Sequence, residues 1–369
     1  MDTQSKTDTQ MDVNDVLDVL VIGGGQAGLA MGERLKRDGH RFLIVDAGAG
    51  IGDSWRRRWD SLRLFTPAQY DSLPGMPFPQ PADTYPGKDD VAHYLERYAT
   101  ALDLPVRLNT KVTSLAQSDA GYVARAGDET FVARHVVVAT GPFQVPFTPP
   151  VADRLDPGVA RLHSAEYRNP GMVPPGNVLV VGAANTGCQI ALELSATRRV
   201  ELSVGQFLPV VPQRPLGRDV WWWATRIGLD RVTASSKLGQ RLSGRDQVIG
   251  IGPKQLARRH SIPLRGRVTD ASGRTVRFAN GETADYDVVI WATGFRTDHT
   301  WIDVPGVLDA RGGLLHDRGI TPSPGLYVLG LTWQHTRTSA LLGWVAQDAE
   351  YLAGQIQSLR EGPEVTVTP

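Results

Sequence analysis

A chain of 369 residues, 41% hydrophobic and 21% charged, carries enough apolar material for about two globular domains. The 39 basic residues balance the 39 acidic ones, which excludes a global field that would gather nucleic acid or an anionic membrane surface. One cysteine, Cys188, excludes an intrachain disulfide and a Cys-x-x-Cys redox pair, and fits a cytoplasmic protein.

Residues 1–15 are polar without a signal-peptide core and read as a disordered tail. No apolar run approaches ~20 residues, so no membrane span is expected. The first element is the β-branched run Asp18 to Ile22. It leads into Gly23-Gly24-Gly25-Gln26-Ala27-Gly28, a helix over Leu29 to Arg37 stopped at Asp38-Gly39, and a strand from Arg41 to Asp46. This is a βαβ unit with a complete dinucleotide fingerprint. Gly23 permits the sharp exit from the strand, Gly25 lets a pyrophosphate approach the backbone, and Gly28 lets helix and strand pack closely. The pyrophosphate then meets the free N–H groups of the helix start. Asp46 stands where a carboxylate receives a ribose hydroxyl.

Residues 47–90 are rich in glycine, proline and aromatics and read as irregular chain packed over a site. A helix is expected over Val91 to Leu102, a β-meander over Val106 to Arg134, and a buried strand at His135 to Val138 ending in Ala139-Thr140-Gly141. The pattern then recurs. Val178 to Val181 is a strand, Gly182-Ala183-Ala184-Asn185-Thr186-Gly187 a second glycine turn, Cys188 to Thr197 a helix and Val200 to Val204 a strand. Ala184 replaces the middle glycine, and Thr186 is placed to cap the helix. No acid ends the strand, which favours NADPH over NADH; Arg199, Arg214 or Arg218 would have to meet the 2′-phosphate. Cys188 reads as a small packing residue rather than a reactive thiol. The run Trp221-Trp222-Trp223 points three ways on a helix, so at least one ring faces a channel, a partner, lipid headgroups or a lid. Tyr286 to Gly294 repeats the strand with an Ala-Thr-Gly ending, Tyr327 to Gly330 is a short strand, and Ala340 to Arg360 is largely helical.

With both glycine turns placed, the chain resembles the class B flavin-containing monooxygenases, in particular the bacterial branch labelled as flavoproteins involved in potassium transport. Relatives of that branch occur in arsenic-resistance operons and among the plant auxin-forming enzymes. Gly52-Asp53-Ser54-Trp55, Leu62 to Pro67 and Leu73-Pro74-Gly75 resemble the flavin-proximal loop. His163 to Arg168 resembles the end of the monooxygenase fingerprint. Ala139 to Gly141 and Ala292-Thr293-Gly294 resemble the crossovers between domains. The Phe-x-Gly that precedes the fingerprint histidine is absent, with Pro157 and Val159 in its place, and Leu64 to Pro67 holds no asparagine.

The resemblance implies two Rossmann-like α/β domains with the NADPH domain inserted in the FAD domain. The FAD-binding domain is expected at 16–150 and 285–360, the NADPH-binding domain at 151–284, and a tail at 361–369. FAD contacts are expected from Gly23, Gly25, Gln26, Ala27, Gly28, Asp46, Ala47, Ser54, Trp55, Thr66, Val112, Ala139, Thr140 and Gly141. NADPH contacts are expected from Gly182, Ala184, Asn185, Thr186 and Gly187, with Ala292, Thr293 and Gly294 at the second crossover. Trp55, Trp333, Gln334 and His335 are candidates for lining the reaction pocket, and His163 is expected to order the interdomain turn. No metal is expected.

The implied activity is NADPH- and O₂-dependent oxygenation of a small organic substrate at nitrogen, sulfur or a carbonyl, through a flavin hydroperoxide. Two alternatives share the fold: an NAD(P)H-dependent reductase serving a quinone or protein acceptor, and a non-catalytic flavoprotein that senses nucleotide redox state. Substrate, catalytic side chains and oligomeric state are not legible in the sequence.

Overall fold

The computed structural model describes residues 16–243 and 247–361; the expected tails lie largely or wholly outside them. The first unit opens with β1 (Leu17–Ile22), α1 (Gln26–Arg37) and β2 (Phe42–Val45). Val19 to Val21 are fully buried, as a central parallel strand covered on both faces requires. After a one-turn α2 (Asp53–Arg56), α3 (Lys88–Ala101) packs on the unit through Val91, Tyr94, Leu95 and Tyr98. The two tyrosine hydroxyls hold the intervening irregular chain. Tyr94 donates to Met76 O at 2.7 Å and Tyr98 to Pro74 O at 2.7 Å.

Then follow β3 (Val106–Arg107), the hairpin β4 (Ser114–Ser118) and β5 (Gly121–Ala126), and β6 (Glu129–Val138). The expected meander starts later than its alternation suggested. Val106–Arg107 pairs in parallel with β2, and only β4, β5 and β6 run antiparallel. The chain leaves through β7 (Val145–Pro146).

The second unit contains β8 (Ala160–His163), β9 (Asn177–Val181), α4 (Asn185–Ser195) and β10 (Arg199–Ser203). An excursion follows with β11 (Val210–Val211), α5 (Val220–Arg226), α6 (Lys237–Ser243), β12 (Val248–Ile249) and α7 (Pro253–His260). Next come β13 (Leu264–Arg265), an antiparallel meander of β14 (Val268–Ser272), β15 (Thr275–Phe278) and β16 (Thr283–Asp285), and β17 (Val288–Trp291). The parallel sheet runs β13-β10-β9-β17-β8. Residues 288–291, expected in the FAD-binding part from 285 onward, therefore belong to the second sheet. Their all-apolar run is covered on both faces: Val288 and Ile290 pack with residues of α4 and α7, and Val289 and Trp291 with the β14–β15 hairpin.

The return passes through β18 (Phe295–Arg296), which pairs antiparallel with β7, so both crossovers lie side by side. The chain ends in β19 (Ile302–Asp303), β20 (Leu326–Val328) and α8 (Val345–Glu361). The first sheet runs β19-β4-β5-β6-β1-β2-β3, with β20 also beside β6, and α8 packs against α1. No described helix is long and apolar enough to cross a membrane.

Candidate active site

The two glycine turns have one geometry. Gly23 has φ +116° and Gly182 φ +109°. A Cβ on Gly23 would stand 2.5 Å from Ala139 O, and one on Gly182 2.3 Å from Ala292 O. Gly28 and Gly187 each pack 1.8 Å, measured to an added Cβ, from the carbonyl of the first glycine of their turn. These contacts explain both Ala-Thr-Gly endings: the alanine backbone closes on the first glycine of each fingerprint. Gly25 and Ala184 precede their helices with the same extended backbone, φ −76° and −77°. No atom lies within 4 Å of a Cβ built on Gly25, and Ala184 is exposed. Both helix starts thus face open grooves of the kind a pyrophosphate occupies.

Asp46 is half-buried, and Gly24 N and Gly48 N each donate to its carboxylate at 2.6 Å. Those bonds fix its orientation and leave acceptor capacity for a ribose hydroxyl. Ala47 is exposed beside it, and Val112 is buried in the cluster that contains Ile22 and Val45. Trp55 Nε1 donates to Gln26 Oε1 at 3.3 Å, while Gln26 Nε2 reaches Ala340 O at 3.5 Å. The flavin-proximal loop, the first turn and the approach to α8 therefore meet at Gln26. Ser54 is exposed on α2, and Ala27 is buried at the start of α1.

Thr66 is buried and donates to Asp71 Oδ1 at 2.6 Å. Asp71 has no exposed surface, and its Oδ2 has no hydrogen-bond partner among the described residues. Burial pushes its carboxyl up to about 7, against the smaller opposing pull of the Thr66 hydroxyl. Sequence reading missed Asp71; the hydroxyl five residues upstream was its only local signal.

At the second turn, Asn185 Oδ1 accepts from Ile249 N at 3.0 Å and ties the excursion to the start of α4. Thr186 does not cap: α4 begins at Asn185, the N-cap is Ala184, and no side chain bonds there. Cys188 is buried, burial pushes its thiol up to about 12, and it donates to Ala183 O at 3.4 Å. It is a packing residue.

His163 is buried between the crossovers. Its Nδ1 accepts from Ala165 N at 3.1 Å and its Nε2–H donates to Gly294 O at 3.0 Å, which defines a neutral ring. Burial lowers its proton affinity below the usual histidine value. Thr293 Oγ1 donates to Phe147 O, and Gln144 joins Thr140 Oγ1 and Gly141 O to Asp298 N. Together these bonds lock the two chain passages to each other.

A cleft of about 370 Å³ lies where the units meet. The first unit contributes Arg63, Leu64, Phe65 and Tyr85; the second contributes Asn185, Gln189, Gln213 and Ile249 to Ile251. Trp55, Trp333, Gln334 and His335 do not line it; Trp55 packs against the cores of both units. Gln334 is buried, with Leu331 N donating to its Oε1 at 3.2 Å. His335 O accepts from Ala234 N at 2.7 Å. Of the three tryptophans, Trp221 is buried and donates from Nε1 to Phe65 O at 3.0 Å, behind the cleft wall. Trp222 and Trp223 are half-buried and meet edge to face at 4.8 Å.

Of the arginines named for a 2′-phosphate, one stands at the far end of its strand and two have other partners. Arg199 is exposed at the opposite end of β10, Arg214 binds Asp83 at 3.0 Å and Tyr85 at 3.1 Å, and Arg218 stacks over Trp222 at 5.5 Å.

The family model of pyridine nucleotide-disulphide oxidoreductases matches residues 20–207. The uncharacterized CzcO-like oxidoreductase of Geobacillus kaustophilus is 46% identical over 92% of this chain and 98% of that protein. The indole-3-pyruvate monooxygenase YUCCA1 of Oryza sativa is 27% identical over 85% of this chain and 86% of that protein. Among solved structures, a flavin-containing monooxygenase from Stenotrophomonas maltophilia superposes with a TM-score of 0.79 at 28% identity, covering 94% of this chain and 99% of that one. Two glycine turns of one geometry, and these likenesses over most of its length, place the chain in the pyridine nucleotide-disulphide oxidoreductase family, as a class B flavin monooxygenase-like oxidoreductase of the CzcO type.

Proposed function

We propose that this enzyme is an FAD- and NADPH-dependent monooxygenase that oxygenates a small organic molecule at nitrogen, sulfur or a carbonyl. The first turn would hold FAD, with Asp46 toward its ribose, and the second would hold NADPH. The observation that supports this reading is a cleft walled by both units, with Asn185 of the second turn in its lining. When bound, the flavin supplies hydride acceptance and dioxygen activation.

The chain's own residues bind, orient and exclude water. Leu64, Phe65, Ile249 and Ile251 give the cleft an apolar wall, and the amides of Asn185, Gln189 and Gln213 offer hydrogen bonds to an uncharged polar substrate. Asn185 couples the nucleotide helix to that wall through Ile249 N. The alternative reading, a reductase serving a quinone or a protein, uses the same binding machinery. Its disulfide version lacks an internal dithiol, since Cys188 is the only cysteine.

Stopped-flow spectroscopy separates the two. Protein loaded with flavin, reduced with NADPH and mixed with air is expected to pass through a transient spectrum unlike that of either oxidised or reduced flavin. That transient should decay faster with an amine, thioether or ketone substrate. Direct return to oxidised flavin with stoichiometric peroxide, and faster turnover with a quinone, would instead establish the reductase.

A further inference from the structure

The internal duplication allows the two ribose corners to be compared residue by residue. In the first unit Ile22 pairs with Val45, Gly23 N donates to Val45 O at 2.8 Å, and Asp46 N donates to Arg107 O at 2.9 Å. In the second, Val181 pairs with Ser203, Gly182 N donates to Ser203 O at 3.1 Å, and Val204 N donates to Arg265 O at 2.9 Å. This register sets Val204 in the place of Asp46. Two residues beyond Arg107 and Arg265, it sets Arg267 in the place of Asn109.

The corner that holds a carboxylate and a neutral amide in one unit thus holds an apolar side chain and a guanidinium in the other. Val204 is buried and carries no charge to repel a phosphate. Arg267 lies across Gly205, to whose carbonyl its Nη2 donates at 3.2 Å. Its neighbour Arg265 is taken up by Glu201 at 2.7 Å and Glu282 at 3.0 Å. Arg267 makes no ion pair with a described residue. Lys254, on α7, stands 5.4 Å from the ring of Phe207, and it too is without an ion pair among the described residues. A dinucleotide carrying a 2′-phosphate needs such a cation where one with a free 2′-hydroxyl needs a carboxylate.

We propose that Arg267, reaching over Gly205 from the link between β13 and β14, takes the 2′-phosphate of NADPH and sets the preference of the second unit against NADH. This rests on the reading that the second unit binds a nicotinamide dinucleotide. Guanidinium and phosphate pair through charge-assisted, often two-pronged hydrogen bonds. The same chemistry accepts free inorganic phosphate, so phosphate is expected to compete with NADP⁺ in the wild type and to lose that effect in Arg267→Ala.

The test is calorimetric titration of the FAD-loaded protein with NADP⁺ and with NAD⁺, for wild type, Arg267→Ala and Arg267→Lys. Arg267→Ala is expected to weaken NADP⁺ by about tenfold or more while NAD⁺ shifts by less than about twofold, and Arg267→Lys to recover part of the loss. Equal losses for both dinucleotides, or no loss of NADP⁺, would overturn the assignment of Arg267. Wild-type protein that binds neither dinucleotide would overturn the reading of the second unit itself.

Discussion

Gly25 and Gly28 stand three residues apart in one motif and carry different physical burdens. A side chain on Gly25 meets nothing within 4 Å, so the fold tolerates it; it enters only the groove that a pyrophosphate would use. A side chain on Gly28 would collide with the Gly23 carbonyl at 1.8 Å, so the turn itself must open. Gly25→Val is therefore expected to purify folded and colourless, with an unaltered far-ultraviolet spectrum. Gly28→Ala is expected to lose stability by several kcal/mol, on the order of 3. A yellow Gly25→Val protein would refute the placement of FAD. Asp71 carries a different prediction. Its carboxyl is raised in the fold to about 7, so the folded chain holds a proton that the unfolded chain releases near its ordinary value of 3.8. A raised carboxyl contributes its stability in full below that ordinary value and loses it as the pH climbs through about 7. The loss is on the order of 4 kcal/mol. Chemical denaturation is expected to show stability falling across this window in the wild type. Asp71→Asn keeps the bond from Thr66 and should flatten the fall; an unchanged slope would assign the titration to another group.

At the scale of elements, the sequence disclosed both βαβ units because glycine spacing and apolar strand runs are local signals. The strand at Val288–Trp291 was visible as a strand, yet its sheet was not, since partner choice is settled by β8 and β9 more than a hundred residues upstream. Val106–Arg107 was misread as meander for the same reason: two residues carry no periodicity, and parallel pairing with β2 depends on where α3 delivers the chain. The site was legible where it is backbone geometry, at the two turns and their Ala-Thr-Gly closures. It was illegible where it is side chains from distant loops. Phe65 joins the cleft because Trp221, 156 positions later, donates to its carbonyl, and Gln213 donates to that same oxygen at 2.9 Å. Asp219 completes this joint. It caps α5 through Trp221 N at 2.8 Å and accepts from Tyr85 OH at 2.7 Å. The excursion that carries the tryptophans is thus a wall of the cleft tied to the first unit, which no local pattern announces.

For the molecule as a whole, catalysis between two units requires that their turns keep one mutual distance and orientation. Among the described residues two chain passages connect them, and β7 and β18 bring those passages into one antiparallel pair. His163 sits at that pair with both ring nitrogens occupied by backbone groups, so it has no free lone pair or proton to lend to chemistry. Its ring also packs edge-on against Phe295 at 5.2 Å. A positioning role and an acid–base role predict different outcomes for His163→Gln. If the ring orders the crossover, the variant loses stability by about 1–3 kcal/mol, because buried backbone groups lose partners. Flavin reduction by saturating NADPH then slows, while its pH profile keeps the same limbs. If the ring moves a proton, one limb of that profile disappears and stability changes little. We expect the first pattern, measured by thermal unfolding and by anaerobic reduction rates across the neutral pH range. The unaltered pH profile is the decisive readout, since a slower rate alone would follow from either role.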